Sequence, residues 1–304
     1  MKILITGATG FVGNALVRQL VDKGHGVRAM VGRSNSSRAT ALARMERVER
    51  VESTFDRPDR LREAMRETEA VIHLIGIIAP TRSRTYSQAH VQTTRLLLEA
   101  ARQEGVRRFV HMSALGTRPE AISRYHQTKW EAEELVRRSG LDYTIFRPSI
   151  IYGPGDQFVN TLAKLIQRFP WVPVLGSGRG RMQPLGVDEV AFCFERCLEE
   201  VRSHGMTFDL GGPEALSLRQ VFETIEDVLG RPRRQFRIPA GLLWPLALGC
   251  EWIMGGLLNY PPPLTRDQLA MLEESNTGDI QPAREILGLE PRSFRAGISR
   301  YLRP

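Results

Sequence analysis

The feature that most constrains the fold is a glycine-rich turn near the start of the chain. An apolar strand, Lys2–Thr6, runs into Gly7-Ala8-Thr9-Gly10-Phe11-Val12-Gly13, and a helical pattern follows. Gly7 permits a tight turn, Gly10 lets the backbone approach a ligand, and Gly13 allows the helix to pack closely on the sheet. Because unpaired amides at a helix start attract negative charge, the pattern predicts a seat for a dinucleotide pyrophosphate. The alternative is a turn with a purely structural role.

The end of the second predicted strand, Gly26–Val31, indicates which dinucleotide is bound. In NAD sites an acidic residue at this point accepts hydrogen bonds from the ribose 2′-hydroxyl. This chain has no carboxylate there and instead has Arg33 and Ser34, with Arg38 shortly after. Because a guanidinium matches a 2′-phosphate, we predict NADP(H) as the preferred cofactor and NAD(H) as the alternative. The other interpretation of Arg33 is a solvated side chain without a ligand.

Strands and helices alternate over the first two-thirds of the chain. Continuous apolar runs such as 70–75 predict strands covered on both faces, and the segments between the strands have helical periodicity. The alternation predicts an α/β fold with a Rossmann-type, doubly wound parallel sheet. We expect residues 1–153 and 186–212 to form the cofactor-binding domain. Residues 154–185 and 213–304 then form a smaller, mostly helical domain for a substrate or partner.

Tyr125 and Lys129 form a candidate acid–base pair. They lie four residues apart in a helical pattern, which places the phenol and the ammonium on one face. We expect the cation to lower the pKa of the phenol and to hold ribose hydroxyls of the cofactor. Lysine occurs at only four positions of this arginine-rich chain, so a compact ammonium at 129 favours a specific role. The alternative is an ordinary surface pair.

Composition excludes several classes of protein. The net charge of +8 comes almost entirely from arginine, but no basic stretch is interleaved with stacking aromatics, so we predict no nucleic-acid partner. Three cysteines provide no disulfide framework, and no histidine or cysteine cluster predicts a metal site. The chain begins directly with a predicted strand, so we expect no targeting segment and a cytoplasmic protein, with a peripheral position at a membrane as the alternative.

Together these motifs resemble the extended and atypical short-chain dehydrogenase/reductases. The matching stretches are 6–13, 71–76, 109–116, the Tyr125/Lys129 pair and 146–156. The late segment 262–269 with Asn276 resembles the branch that contains the reductase-like accessory subunit of respiratory complex I and its bacterial relatives. The resemblance covers nearly the whole chain and implies roles for the residues that line the cofactor: Gly7, Thr9, Gly10, Phe11, Val12 and Gly13 at the pyrophosphate, Leu74, Ile75 and Gly76 under the adenine and ribose, and Pro148 to Ile151 at the nicotinamide.

The chain departs from the family pattern at several catalytic positions. The family's active-site serine or threonine is replaced by Ala114, although the preceding Ser113 could polarise a substrate oxygen. His90 takes the place of an asparagine on the long central helix. An aspartate usual after the third strand is replaced by Thr54, with Asp56 close by. Cofactor binding survives such losses better than turnover does.

A basic and then apolar segment, 231–260, stands out in the last third. Four arginines precede a run rich in leucine and tryptophan, in which only Glu251 is charged. Pro245 and two glycines interrupt the run and argue against a membrane-spanning helix. The segment could lie on an anionic membrane surface or dock on a membrane complex. The alternative is a pair of helices packed over the substrate cleft.

Three functions are consistent with these observations. The favoured one is an NADP(H)-dependent oxidoreductase in which Tyr125, Lys129 and Ser113 act on a small-molecule, apolar or quinone-like carbonyl compound. The second is a non-catalytic accessory or assembly factor that holds NADP(H) within a membrane redox complex. The third is a nucleotide-sugar epimerase or dehydratase, which would need sugar-diphosphate ligands in 154–185, where Arg179 and Arg181 are the candidates.

Overall fold

A computed structural model describes residues 1–32, 40–42, 44–52, 55, 57–178 and 180–303. Its strands are β1 (Lys2–Thr6), β2 (Gly26–Val31), β3 (Val48–Glu52), β4 (Ala70–His73), β5 (Arg108–Met112), β6 (Asp142–Pro148), β7 (Ile151–Tyr152), β8 (Trp171–Leu175), β9 (Arg181–Met182), β10 (Leu185–Gly186), β11 (Met206–Leu210), β12 (Leu216–Ser217) and β13 (Arg234–Ile238). Its α-helices are α1 (Phe11–Asp22), α2 (Pro58–Met65), α3 (Thr93–Gln103), α4 (Arg124–Arg137), α5 (Val159–Arg168), α6 (Val187–Arg196), α7 (Leu218–Leu229), α8 (Ala240–Cys250), α9 (Arg266–Glu273), α10 (Gln281–Leu287) and α11 (Phe294–Ile298).

Within the described residues, seven parallel strands form the central sheet in the order β11-β6-β5-β4-β1-β2-β3. Strands β2 and β3 lie on one side of β1, whereas β4, β5, β6 and β11 lie on the other side. The direction in which strands are added therefore reverses between β1 and β4. Thr6 pairs with His73, and His73 pairs with His111, so the carboxyl ends of these strands share one edge. Ligands bind at such a switch point in doubly wound folds. The predicted Rossmann-type fold is confirmed.

Apolar side chains cover both faces of the sheet. One cluster packs α1 and α6 against one face, with Leu16 and Phe194 fully buried. A second packs α2 and α3 against the opposite face around Phe109. A separate cluster joins α5, α7 and α11. Residues 283–289 pack into the first cluster, and the boundaries of the two domains stay a prediction.

Local structure differs from the sequence prediction in two helices. A helical pattern predicts one helix over 187–201, but α6 ends at Arg196 and a single 3₁₀ turn, Val201–Ser203, follows. The long central helix begins with a π-helical turn, Ser87–Gln92, that runs directly into α3. This turn carries His90, and π-helical turns are frequent at functional sites.

Candidate functional site

The glycine-rich turn has the geometry of an anion seat. Gly7 has a φ of +77°, which favours glycine, and its carbonyl accepts a hydrogen bond from the Gly10 amide at 2.9 Å. A Cβ on Gly13 would lie 2.2 Å from that same carbonyl oxygen, so only glycine allows α1 to sit on the turn. No side chain caps α1, and no acidic residue lies in its first turn. The first amides of the helix therefore remain available to an anion.

The segment after β4 extends this seat toward Lys129. Leu74 donates its amide to the Thr6 carbonyl at 3.2 Å, and a Cβ on Gly7 would lie 3.3 Å from the Leu74 carbonyl carbon. A Cβ on Gly76 would lie 3.1 Å from the Lys129 Nζ. Gly7 and Gly76 thus leave no Cβ beside the Leu74 backbone and beside the Lys129 ammonium. The segment after β4 therefore lies between the turn and Lys129.

Four further residues that are predicted to line the cofactor differ in burial and contacts: Phe11, Val12, Pro148 and Ile151. Val12 is buried in the core beneath it, and the Phe11 ring lies 3.3 Å from the position of a Cβ on Gly153. The Pro148 carbonyl accepts a hydrogen bond from Leu115 at 2.9 Å, and Ile151 pairs with Leu185. These contacts tie the end of β6 to the loop after β5. Their roles toward a cofactor stay a prediction.

Lys129 is a buried cation on α4. Its Nζ donates to the carbonyl of Met112, at the end of β5, with a distance of 2.9 Å. Burial lowers the pKa of Lys129 from 10.5 to about 8, and the charge of Glu133 opposes that shift. The ammonium can donate two further hydrogen bonds. It therefore lies at the sheet edge as a hydrogen-bond donor beside Gly76.

Tyr125 lies half-buried in an aromatic cluster. The rings of Tyr86, His90 and His126 surround it with centroid distances of 6.0, 5.4 and 5.1 Å. Burial raises the pKa of Tyr125 to about 12. The expectation that Lys129 lowers this pKa is wrong, because loss of hydration disfavours the phenolate and no contribution from Lys129 offsets it. The phenol is protonated at neutral pH.

His90 is fixed in one neutral tautomer beside this cluster. Its Nε2 accepts a hydrogen bond from the Ile77 amide at 3.2 Å, so the ring proton is on Nδ1, which donates to the Thr128 Oγ1 at 2.8 Å. Burial, and then the charge of Lys129, lowers the pKa of His90 to about 2. His90 therefore links the segment after β4 to α4 as a neutral hydrogen-bonding group.

The loop after β5 carries Ser113 and Ala114. Ser113 is buried, and its hydroxyl donates to the Thr117 Oγ1 over a long distance of 3.4 Å. Two residues that the sequence did not single out for a site, Tyr86 and His126, lie beside Tyr125. Asn276 also reaches this loop, because a Cβ on Gly116 would lie 2.4 Å from its Oδ1. That oxygen is buried and has no partner among the described residues.

Six residues that the sequence singled out lie outside the described residues. They are Arg33, Ser34 and Arg38 at the predicted 2′-phosphate site, Thr54 and Asp56 after β3, and Arg179. Arg181 is placed, and its guanidinium donates to the Ala215 carbonyl at 3.1 Å. Within the described ranges, no group of three or more histidine, cysteine or acidic residues could hold a metal ion.

The apolar segment after β13 is largely exposed. Of its apolar side chains, Leu243 and Ala247 are buried, whereas Leu242, Trp252 and Leu257 are each more than 70% exposed. The alternative of a pair of helices packed over the substrate cleft accounts for the buried Leu243 and Ala247, which cluster with Leu269, but not for these exposed side chains. Ala240–Leu257 is the one helical stretch of the described residues that is long and apolar enough to cross a membrane, judged by length and composition alone.

Comparison with known proteins agrees with the fold and the turn. Residues 7–164 match the NAD(P)H-binding family, and the chain belongs to that family, within the short-chain dehydrogenase/reductases. It is 32% identical to a ceramide reductase of Caulobacter vibrioides, over 85% of this chain and 80% of the relative. It is 28% identical to the mitochondrial NADH dehydrogenase 1 alpha subcomplex subunit 9 of Arabidopsis thaliana, over 90% of this chain and 68% of the relative.

A solved structure shows the same fold at lower identity. The dTDP-glucose 4,6-dehydratase of Streptomyces venezuelae, with NAD bound, superposes with a TM-score of 0.78 at 21% identity. The match covers 99% of this chain and 95% of the dehydratase. The chain is therefore an NAD(P)-binding protein of Rossmann fold, whose relatives include reductases and complex I subunits.

Proposed function

We propose that this protein is an NADP(H)-dependent reductase of an apolar or quinone-like carbonyl compound. The observation that carries the proposal is the buried ammonium of Lys129, which bonds to Met112 at the end of β5 and lies beside Gly76, with Tyr125 four residues before it on α4. The similarity to a ceramide reductase favours an apolar substrate. Arg33 and Arg38, which lie outside the described residues, favour NADP(H) over NAD(H) because a guanidinium matches a 2′-phosphate.

Each residue would have a separate task. The bound cofactor would supply a hydride to the carbonyl carbon of the substrate. Tyr125 would donate its proton to the carbonyl oxygen, because the phenol is protonated at neutral pH. Lys129 would hold ribose hydroxyls with the donors that Met112 does not occupy. His90, which is neutral and held by hydrogen bonds to Ile77 and Thr128, would keep the segment after β4 in place against α4.

The test removes the proton donor alone. We expect Tyr125→Phe to lower the rate of NADPH oxidation by at least about a hundredfold with an aliphatic ketone series or a short-chain quinone. Binding of NADPH should change by less than about twofold, because the phenol is not part of the diphosphate seat. Tyr143→Phe, on β6, is the matched control and should behave as the unchanged protein. Turnover that is unaffected by Tyr125→Phe would remove this residue from the mechanism.

A second candidate function is that of a cofactor-holding accessory factor of a membrane redox complex. The similarity to a mitochondrial NADH dehydrogenase subunit favours it, as do Ala114 and His90 at two catalytic positions of the family. The exposed segment 231–260 would then serve as the contact with the membrane or the complex. Tight NADPH binding without any hydride exchange would favour this candidate over the reductase.

The third candidate, a nucleotide-sugar epimerase or dehydratase, has less support. The structural similarity to a dehydratase is a similarity of fold. In the part of 154–185 that is described, Arg181 is engaged with a backbone carbonyl and is exposed, which makes it a poor diphosphate ligand. Failure of nucleotide sugars to protect the chain from thermal unfolding would exclude this candidate.

A further inference from the structure

We propose that the apolar surface, defined as residues 240–258, lies in the plane of an anionic lipid bilayer and presents the entrance beside Tyr125 to the lipid. The surface consists of α8 and a π-helical turn, Glu251–Leu257, that continues it. The docking itself is independent of the reductase assignment, whereas the uptake of a lipid substrate depends on it.

The apolar surface exposes large side chains around most of its circumference. The side chains that are about half exposed or more are Leu242, Trp244, Leu246, Leu248, Trp252, Ile253, Leu257 and Leu258. Each large apolar side chain of this kind gains free energy when its exposed area is removed from water. A contiguous patch of this extent indicates an interaction site. Tryptophan is typical of membrane interfaces, where one side of the ring is apolar and the other is hydrated.

One side of the apolar surface is fastened to the rest of the protein along its length. Leu243 and Ala247 pack with Leu269 of α9. Gly255 is buried, and its carbonyl accepts a hydrogen bond from the Arg82 amide at 3.0 Å. A helix held at both ends and along one side cannot leave the body to cross a bilayer. It can insert its free side into the interface, as amphipathic surface helices do.

Positive charge flanks the apolar surface at both ends. Arg231, Arg233, Arg234 and Arg237 precede it, and none of their guanidinium groups has a carboxylate within 4.0 Å among the described residues. At the other end, the contact with Gly255 brings in the loop that carries Arg82 and Arg84, which are exposed and likewise lack a carboxylate partner in the described part of the chain.

The one acidic residue of the apolar surface, Glu251, is neutralised by Arg266 at 2.8 Å. The arginines that precede the apolar surface, of which Arg231, Arg233 and Arg237 also donate to backbone carbonyls, together with Arg82 and Arg84 complement a layer of lipid phosphates over acyl chains. Each arginine near such a layer is attracted by its negative surface potential. A groove in a protein partner has no comparable reason to need basic residues at both ends. The charge pattern therefore favours an anionic bilayer as the occupant.

The loop 78–86 connects the apolar surface to the candidate catalytic residue. Its Ser83 amide donates to the Asn259 Oδ1 at 3.0 Å, just beyond the surface. At the other end of the loop, the Tyr86 hydroxyl donates to the Ile78 carbonyl at 2.7 Å, and the Tyr86 ring packs edge-on against Tyr125. Ile78 itself is 57% exposed. A bilayer on the apolar surface would thus lie next to the loop that packs on Tyr125.

The docking is tested by a polarity-sensitive fluorophore (nitrobenzoxadiazole) on Leu246→Cys in a Cys250→Ser background. Cys193 and Cys197 are buried and should not react. Vesicles of phosphatidylcholine with about one-third phosphatidylglycerol should shift the emission to the blue and raise its intensity several-fold. Vesicles of phosphatidylcholine alone should give a much smaller change. The same label on Glu285→Cys, an exposed position on α10, is the control and should not respond.

Two results would overturn the docking proposal. A label at 246 that does not respond to anionic vesicles would show that the bilayer is not the occupant, and dimerisation detected by light scattering would then identify a second copy. An equal response of the label to neutral and anionic vesicles would show that the arginines do not contribute to docking.

Substrate uptake from the bilayer is tested by comparing two ketones. We expect Leu246→Glu combined with Trp252→Glu to reduce turnover of a long-chain ketone held in anionic vesicles by at least about tenfold, without affecting a short water-soluble homologue. If the unchanged protein reduces neither ketone but the label responds, the reductase proposal fails and the docking stands. If the unchanged protein reduces both ketones and the Leu246→Glu, Trp252→Glu variant reduces both at the same rates, the uptake proposal fails.

Discussion

Lys129 has a cost in stability that its contacts do not offset. Burial lowers its pKa from 10.5 to about 8, so at neutral pH the folded protein holds a charge that the unfolded chain holds more easily. A shift of this size corresponds to about 3 kcal/mol, of which the hydrogen bond to Met112 returns about 1 kcal/mol. Retention of a residue with this cost is expected where function needs an ammonium.

We therefore predict that Lys129→Met is more stable than the unchanged protein at neutral pH by about 1–3 kcal/mol. Between pH 8 and 10.5 the folded state loses its proton before the unfolded state does, so the unfolding free energy of the unchanged protein should rise with pH. Lys129→Met lacks this contribution, and its advantage should shrink. Urea unfolding at about pH 7 and about pH 10 measures both effects. A Lys129→Met protein that is less stable at neutral pH would contradict the assignment of a strained buried cation.

Single residues were predicted with mixed success, for physical reasons. The spacing of Tyr125 and Lys129 correctly placed both on one helix, because helical periodicity is a local property. The direction of the Tyr125 pKa shift was wrong, because hydration depends on Tyr86 and His90, which reach it from another element. The tautomer of His90 depends on contacts that no local pattern encodes.

At the scale of elements, the strand–turn–helix unit is the part on which the site depends. A methyl group on Gly13 would meet the Gly7 carbonyl and the Ala8 backbone, which cannot move aside as a flexible side chain could. We predict that Gly13→Ala lowers the unfolding free energy by about 2 kcal/mol or more, measured by urea unfolding. Gly249→Ala, in α8, has open space around it and is the control, with an expected gain of up to about 1 kcal/mol. Equal effects of the two substitutions would contradict the close packing of α1 on the turn.

Elements were predictable where their sequence is strongly patterned. Strands β1, β2 and β4 were placed to within about two residues, because their apolar runs are continuous. Strand β3, Val48–Glu52, was missed because it is a half-exposed edge strand in which three of the five residues are charged. Strand β13 was interpreted only as a basic cluster, although it pairs in parallel with β8.

At the scale of the whole molecule, the order of the strands brings the separate motifs together. Parallel strands end at one edge, so the turn after β1, the segment after β4 and Lys129 beyond β5 meet there. That convergence could be predicted from the fold class. The contact between loop 78–86 and Gly255 could not, because it joins residues far apart in the chain through tertiary packing. The link between the apolar surface and Tyr125 is therefore known only from the structure.

The central claim is that bare backbone amides at the start of α1 hold the diphosphate of NADP(H), and calorimetric titration with NADPH and NADH tests it most directly. We predict that the unchanged protein binds NADPH more tightly than NADH. Gly10→Ala, which places a methyl group in the approach to the amides, should weaken both by at least about tenfold. Arg33→Ala should weaken NADPH and leave NADH within about twofold. Absence of binding heat with both nucleotides, or a Gly10→Ala variant that binds them unchanged, would contradict the claim.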